Sequence, residues 1–141
     1  VSGPAPIRFA GYAALFDIVD AGRDTIRRGA FVDTLAARKS PLPLFWQHRP
    51  DHPIGVIEHA EEDTRGLRVI ARIDRPDSRA ARLLREGKVS GLSFGYRART
   101  ARRSDAGREL IAIDLFEVSL VTHPLQHGAR VHLVTTPNPL L

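Results

Sequence analysis

Val89-Ser90-Gly91-Leu92-Ser93-Phe94-Gly95-Tyr96-Arg97-Ala98-Arg99-Thr100 and Glu109-Leu110-Ile111-Ala112-Ile113-Asp114-Leu115-Phe116-Glu117-Val118-Ser119-Leu120-Val121 are two long β-like runs. The turn Ser104-Asp105-Ala106-Gly107 joins them. Branched, aromatic and alternating apolar residues fill both runs, so the pair reads as one long antiparallel hairpin. A turn centred near Asp105 sets residues whose numbers add to about 210 opposite one another. Ser93 then lies opposite Glu117, within a residue or two. Without a bulge the two share a face, because side chains alternate with period two. Asp114 falls on the other face, alongside Tyr96.

Working outward, Ile7, Phe9, Gly11 and Ala13 alternate with Arg8, Ala10 and Tyr12, which predicts a first strand. Residues 17–24 read as a loop. Residues 30–38 read as a short helix, with Phe31 and Leu35 four apart on one face. Leu42, Leu44 and Trp46 form an apolar strand that precedes a loop punctuated by Pro50 and Pro53. Residues 56–60 and 67–73 are two further strands joined by a polar turn. A second helix carries Ala80, Ala81, Leu83 and Leu84, with Asp74 or Asp77 as its cap and Gly87 at its end. Residues 130–134 make a last short strand. The fold class is mostly β with inserted helices, an α+β or barrel-like arrangement rather than a doubly wound sheet.

The 141 residues are 43% hydrophobic and 26% charged, the mix of one ordinary globular domain with a real core. That domain is expected over residues 1–141, with 1–6 and 136–141 as flexible ends. No apolar run approaches the roughly 18 residues of a membrane-spanning helix, and no basic flank and apolar stretch at the start mark a signal peptide. There is no cysteine, which excludes disulfides, thiolate catalysis and cysteine-ligated zinc. The net charge of +5 comes almost wholly from arginine, lysine occurring only at Lys39 and Lys88. A basic balance suits a polyanion or an acidic protein partner. Only Arg97, Arg99, Arg102 and Arg103 form a tight group, so nucleic acid is not favoured as a direct substrate.

Without cysteine, a nucleophilic enzyme needs serine or threonine with a histidine base. His48 and His52 stand four apart in Trp46-Gln47-His48-Arg49-Pro50-Asp51-His52-Pro53. That spacing binds zinc when both rings leave one helix face, but Pro50 and Pro53 argue against a helix there. A metal-dependent hydrolase using His48, Asp51 and His52 is therefore a rival reading, with no metal expected. His52 reads as a surface-loop residue, whereas His48, ending a buried strand, is a candidate base. Ser93 is flanked by Gly91 and Gly95, which pack closely or admit a substrate backbone. With an acid on the same face, a histidine bridging the two makes a serine–histidine–acid relay. The alternative is an exposed Ser–Glu neighbour pair. Ser90 and Ser119 are read as bystanders.

The chain resembles the HK97-type prohead proteases, the capsid-maturation serine proteases of tailed phages and phage-like gene transfer agents. The resemblance rests on Gly11-Tyr12-Ala13-Ala14-Leu15-Phe16, Arg28-Gly29-Ala30-Phe31, Trp46-Gln47-His48, Ile54-Gly55, Gly91-Leu92-Ser93-Phe94-Gly95-Tyr96 and Leu115-Phe116-Glu117-Val118-Ser119-Leu120-Val121-Thr122. These run in the family's order over about residues 7–131. It implies an assemblin-like β-barrel surrounded by short helices, similar to the herpesvirus maturation proteases. It further implies a serine endopeptidase acting in the cytoplasm, within the assembling procapsid, on the major capsid protein or a scaffold protein. The relatives suggest a homodimer, and no cofactor is implied. His48 is the implied base, Ser93 the nucleophile and Glu117 the third member. Herpesvirus relatives use a second histidine there, which keeps His123 in consideration beside Asp114. Where the family commonly has a proline-alanine-asparagine-like turn, this chain has His123-Pro124-Leu125-Gln126-His127-Gly128. The competing reading is a non-enzymatic, arginine-rich structural or scaffold-binding component of the particle.

Overall fold

The hairpin is the longest feature of the structure, a computed structural model that describes residues 5–135. In chain order the elements are β1 (Ile7–Leu15), β2 (Asp24–Ile26), α1 (Val32–Ala37), β3 (Leu42–Trp46), β4 (Arg49–Glu62), β5 (Gly66–Ile73), α2 (Arg79–Arg85), β6 (Gly91–Ser104), β7 (Gly107–Val121) and β8 (Val131–Thr135). The mostly-β reading with two short inserted helices holds. The expected flexible ends lie outside the described residues, apart from Ala5 and Pro6.

One eight-stranded sheet runs in the order β2-β7-β3-β4-β5-β1-β8, and β6 pairs with β7. β7 is the hub. Along one edge it carries β6, and along the other it carries β2 near its start and β3 near its end, both parallel to it. The sheet curls until the start of β6 meets the lead-in to β8 through the Gly91↔Arg130 bridge and the Leu92 N–H to Ala129 C=O hydrogen bond. No ladder among the described residues completes the ring, so the expected barrel is a curled, open sheet.

Phe9, Phe31, Ile26, Leu44, Leu67, Val69, Ile73, Leu92, Leu110, Ile113 and Leu120 are fully buried inside the curl. Complete burial of one such side chain contributes about 1.5–3 kcal/mol, which makes this cluster the main support of the fold. α1 itself buries no residue. The anchor is Phe31, just before it, whose ring meets Phe94 edge-on at 5.5 Å and Phe16 at 6.3 Å. Leu35, the expected partner on that face, stays at the periphery.

Four expectations need correction. Asp24, read as the end of a loop, opens the strand Asp24–Ile26, which the sequence reading did not include. A polar sequence hides it, because its stability comes from buried Asp24, which accepts two hydrogen bonds from Arg108 at 3.0 Å and one from the Tyr96 hydroxyl at 2.7 Å. The loop around Pro50 and Pro53 is the start of β4. Its residues 49–53 are exposed, and β5 does not pair until Gly55, so a missing proline N–H breaks no central ladder. The cap of α2 is Ser78, whose Oγ accepts the Ala81 N–H at 3.2 Å, rather than Asp74 or Asp77. Gly87 does end that helix, at φ +72°, with its N–H on Leu84 C=O and the Lys88 N–H on Leu83 C=O, the paired closure that favours glycine. Finally, Asp114 pairs with Arg97 and not Tyr96, because the turn is centred between Asp105 and Ala106, Ser104 pairing with Gly107, rather than on Asp105.

Candidate active site

The site is built on a tight turn. Trp46 pairs with Arg49, so β3 and β4 are joined by only Gln47 and His48, at φ +53° and +60°. This is the twist-matched two-residue hairpin geometry that asparagine–glycine ordinarily supplies. Each non-glycine residue in the left-handed region costs roughly 1–2 kcal/mol, so something must hold the turn. The end of β7 does so. Gln47 N–H donates to Leu120 C=O at 3.0 Å, and the Gln47 side chain exchanges two hydrogen bonds with Thr122, at 3.2 and 3.3 Å. His48 N–H donates to Ser119 Oγ at 3.1 Å. Contacts from a distant strand thus hold two residues in a sparsely populated backbone region.

From that turn the imidazole reaches the hairpin. His48 Nδ1 lies 2.6 Å from Glu117 Oε1. The Glu117 side chain is 9% exposed and the His48 side chain 43%, so the acid is sheltered and the ring is half open. The hydrogen bond to Glu117 raises the His48 pKa above its usual value, against the opposing effect of burial. The second Glu117 oxygen, Oε2, accepts a 2.5 Å hydrogen bond from Ser119 Oγ. Glycine at position 95 is what admits this carboxylate. Gly95 pairs with Glu117, and a Cβ there would stand 2.5 Å from Oε1 and 3.0 Å from Cγ.

Ser93 pairs with Ser119, two residues along from the expected Glu117. A shift of two keeps the face, so Ser93, Gly95, Glu117 and Ser119 point the same way. The diagonal offset matters. Directly opposed Cβ atoms lie about 4.5–5.5 Å apart, too close for an intervening imidazole, whereas the diagonal separation of about 7–8 Å leaves room for the ring. Ser93 is 5% exposed, and its hydroxyl makes no hydrogen bond among the described residues. No enclosed side-chain N or O among them lacks a partner, so the free Ser93 hydroxyl touches solvent.

The other candidates lie elsewhere. Asp114 is bound to Arg97 at 3.0 Å and Arg99 at 3.5 Å. His123 is exposed on the bend after β7 and makes no hydrogen bond among the described residues. Asp51 pairs with Arg49, and His52 borders a separate cavity of about 380 Å³ with Asp74, Asp77 and Ser78. Among the described residues no three His, Asp or Glu side chains converge as a metal would require. Ser119 was missed as a participant. It is fully buried and bonded to both Glu117 and His48. Its place two residues after Glu117 on one strand face was the available signal.

Comparison with known proteins points the same way as this geometry. The chain is 34% identical over 133 residues to the prohead protease of Enterobacteria phage HK97, covering 87% of this chain and 58% of that protein. It is 30% identical over 104 residues to the capsid polyprotein of Pseudomonas phage PAJU2, covering 66% of this chain and 16% of that one. The chain thus spans little more than half of the first relative and a small part of the second. Among solved structures, the Kaposi's sarcoma-associated herpesvirus protease bound to a hexapeptide phosphonate inhibitor superposes with a TM-score of 0.67 at 14% identity, over 94% of this chain and 66% of that one. The varicella-zoster virus protease gives 0.61 at 17%, over 91% and 64%. At such identities the likeness is one of fold, and it bears out the assemblin-like expectation. The sequence pattern of the caudovirus prohead serine proteases extends over residues 3–138, all but the two ends, and the chain belongs to that family.

Proposed function

We propose that this chain is a serine endopeptidase that cleaves the scaffolding segment of the major capsid protein, or a separate scaffold protein, during procapsid maturation. The observation that carries this reading is the Nδ1 hydrogen bond from His48 to Glu117, an acid that shares its strand face with Ser93. With Nδ1–H donated to the carboxylate, Nε2 is left as the basic nitrogen. It takes the Ser93 proton as Oγ attacks the scissile carbonyl, and Glu117 stabilises the resulting imidazolium. The tetrahedral intermediate collapses as His48 returns that proton to the leaving amine. Water then repeats the sequence on the acyl-enzyme, releasing the acid and restoring Ser93.

Membership of the prohead protease family supports a capsid or scaffold substrate, as does a relative named as a capsid polyprotein that contains a matching stretch. The rival reading, a structural arginine-rich component, loses ground in the hairpin itself. Arg97 and Arg99 share Asp114, and Arg102 pairs with Glu109, so two carboxylates offset half of the group's four positive charges. The oligomeric form expected is a homodimer, which sedimentation velocity reads directly. The functional test is co-expression with the neighbouring capsid protein and mass-spectrometric mapping of its fragments. Ser93→Ala should abolish cleavage with the fold intact, and Ser90→Ala should retain it. Cleavage by Ser93→Ala at the wild-type rate overturns the assignment.

A further inference from the structure

We propose that Ser119 is a positioning residue of this site, its one hydroxyl fixing the Glu117 carboxylate and the His48 main chain in a single register. The inference rests on the roles of His48 and Glu117 given above. A buried serine on a strand ordinarily returns its proton to a nearby carbonyl. Ser119 instead spends it on a carboxylate, donating to Glu117 Oε2 at 2.5 Å, while its lone pair accepts the His48 N–H at 3.1 Å. The donor is the main chain of a left-handed turn residue, so the same contact helps hold the strained backbone from which the imidazole projects.

The consequence is geometric. Glu117 has one oxygen on the ring and one on Ser119, which leaves its carboxylate no free rotation. The base is held at both ends, by its ring on Glu117 and by its amide on Ser119. A hydroxyl of fixed length therefore sets the distance between the acid and the backbone of the base. Ser119 also faces Ser93 directly across the ladder, so acid, base and nucleophile are all referred to one residue. Ser119 touches none of the reacting atoms in the proposed reaction. It acts through Glu117 and His48.

The titratable groups on the stretches of chain around the turn are Arg49, Asp51 and His52 on β4 and His123 just past β7, besides Glu117 itself. β3 carries no titratable side chain, Arg49 and Asp51 on β4 pair with each other at 3.2 Å, and the facing residues of β6, Ser93 and Gly95, are uncharged. The titration of His48 is thus a gauge of the Glu117 contact.

The experiment is an NMR titration of the six histidines in purified protein carrying Ser93→Ala, compared with the same protein carrying in addition Ser119→Ala, Ser119→Thr or Glu117→Gln. Ser119→Ala should move the His48 midpoint down toward the ordinary value of about 6.5, in the direction of Glu117→Gln, with the other five unchanged. Ser119→Thr, which keeps the hydroxyl, should hold it near the starting value. In the active enzyme, Ser119→Ala should lower kcat on the order of 10²-fold with KM unchanged, and the acid limb of its pH profile should shift with the NMR midpoint. An unmoved His48 midpoint in Ser119→Ala overturns the proposal. A moved midpoint with undiminished cleavage upholds the Ser119 contact and overturns the roles of His48 and Glu117. Should the alanine variant not fold, hydrogen exchange in the unaltered chain decides: slow exchange of the His48 amide supports its bond to Ser119, and exchange at the rate of an open turn overturns it.

Discussion

Gly95→Ala separates the architecture of the site from the stability of the fold. The added Cβ would stand 2.5 Å from Glu117 Oε1, about 0.9 Å inside the 3.4 Å at which ordinary contact begins. The three atoms nearest to it all belong to the Glu117 side chain, Oε1, Cγ and Cδ. The backbone at Gly95 is not left-handed, so alanine introduces no torsional penalty and slightly lowers the entropy of the unfolded chain. The carboxylate must therefore move while the sheet does not. A displacement of about 0.9 Å applied to a 2.6 Å hydrogen bond carries Oε1 to the edge of bonding range of His48 Nδ1. Misplacement of that order costs about 10²-fold in rate. Cleavage of co-expressed capsid protein, quantified by fragment mass spectrometry, should fall by that factor. The thermal midpoint should stay within a few degrees of the parent, since the change is within about 1 kcal/mol. A Gly95→Ala enzyme that folds and cleaves at the parent rate would show that the Glu117–His48 contact does not serve the reaction.

The raised His48 pKa predicts the direction of the pH profile: the neutral ring is the active base, so cleavage should fall as pH drops through a midpoint above about 6.5, and Glu117→Gln should lower both the rate and that midpoint. Asp24→Asn breaks the contact of Arg108 and Tyr96 with a buried carboxylate and should cost about 2–3 kcal/mol in urea unfolding. The Arg108 hydrogen bonds hold the Asp24 carboxyl below its usual range, so its contribution is present above the unfolded carboxyl pKa and is lost as pH falls through the folded one. The gap between parent and Asp24→Asn should accordingly narrow in acid. Ser78→Ala removes the cap of α2 and should cost about 1 kcal/mol with cleavage unaffected.

What the sequence made legible was the hairpin and, through it, the face shared by Ser93 and Glu117. Counting reached that face because the true turn centre and the bulge at Phe116 each move the partner of Ser93 by one residue, two in all, and a shift of two does not change a face. The ladder departs from simple counting at bulges, one of which leaves Phe116 without a partner between Gly95↔Glu117 and Tyr96↔Leu115. No local pattern announces such an insertion, whereas Asp114 falls opposite Arg97 rather than Tyr96 only because the turn is centred between Asp105 and Ala106. The turn at Gln47 and His48 was illegible for a different reason. Neither residue favours the left-handed region, and the hydrogen bonds that impose it come from Leu120, Thr122 and Ser119, more than seventy residues away. β2 was hidden likewise, its three residues held by an ion pair to a distant strand.

The geometry of the site follows from β7 having two edges. On one edge it carries β6 and so the nucleophile candidate. On the other it carries β3, whose parallel register sets Trp46 beside Leu120 and delivers the turn that follows onto Ser119. Glu117 and Ser119 point to the face on which both edges converge, so the relative placement of Ser93 and His48 depends on two ladders meeting at one strand. A slip of one residue in either would turn a required side chain to the opposite face. The bulge at Phe116 lies immediately beyond Glu117, between the site and the exposed arginine-bearing arm of the hairpin. The site needs that bulge: continued without it, the register of the arm would set Ser93 opposite Val118 and turn Glu117 to the other face.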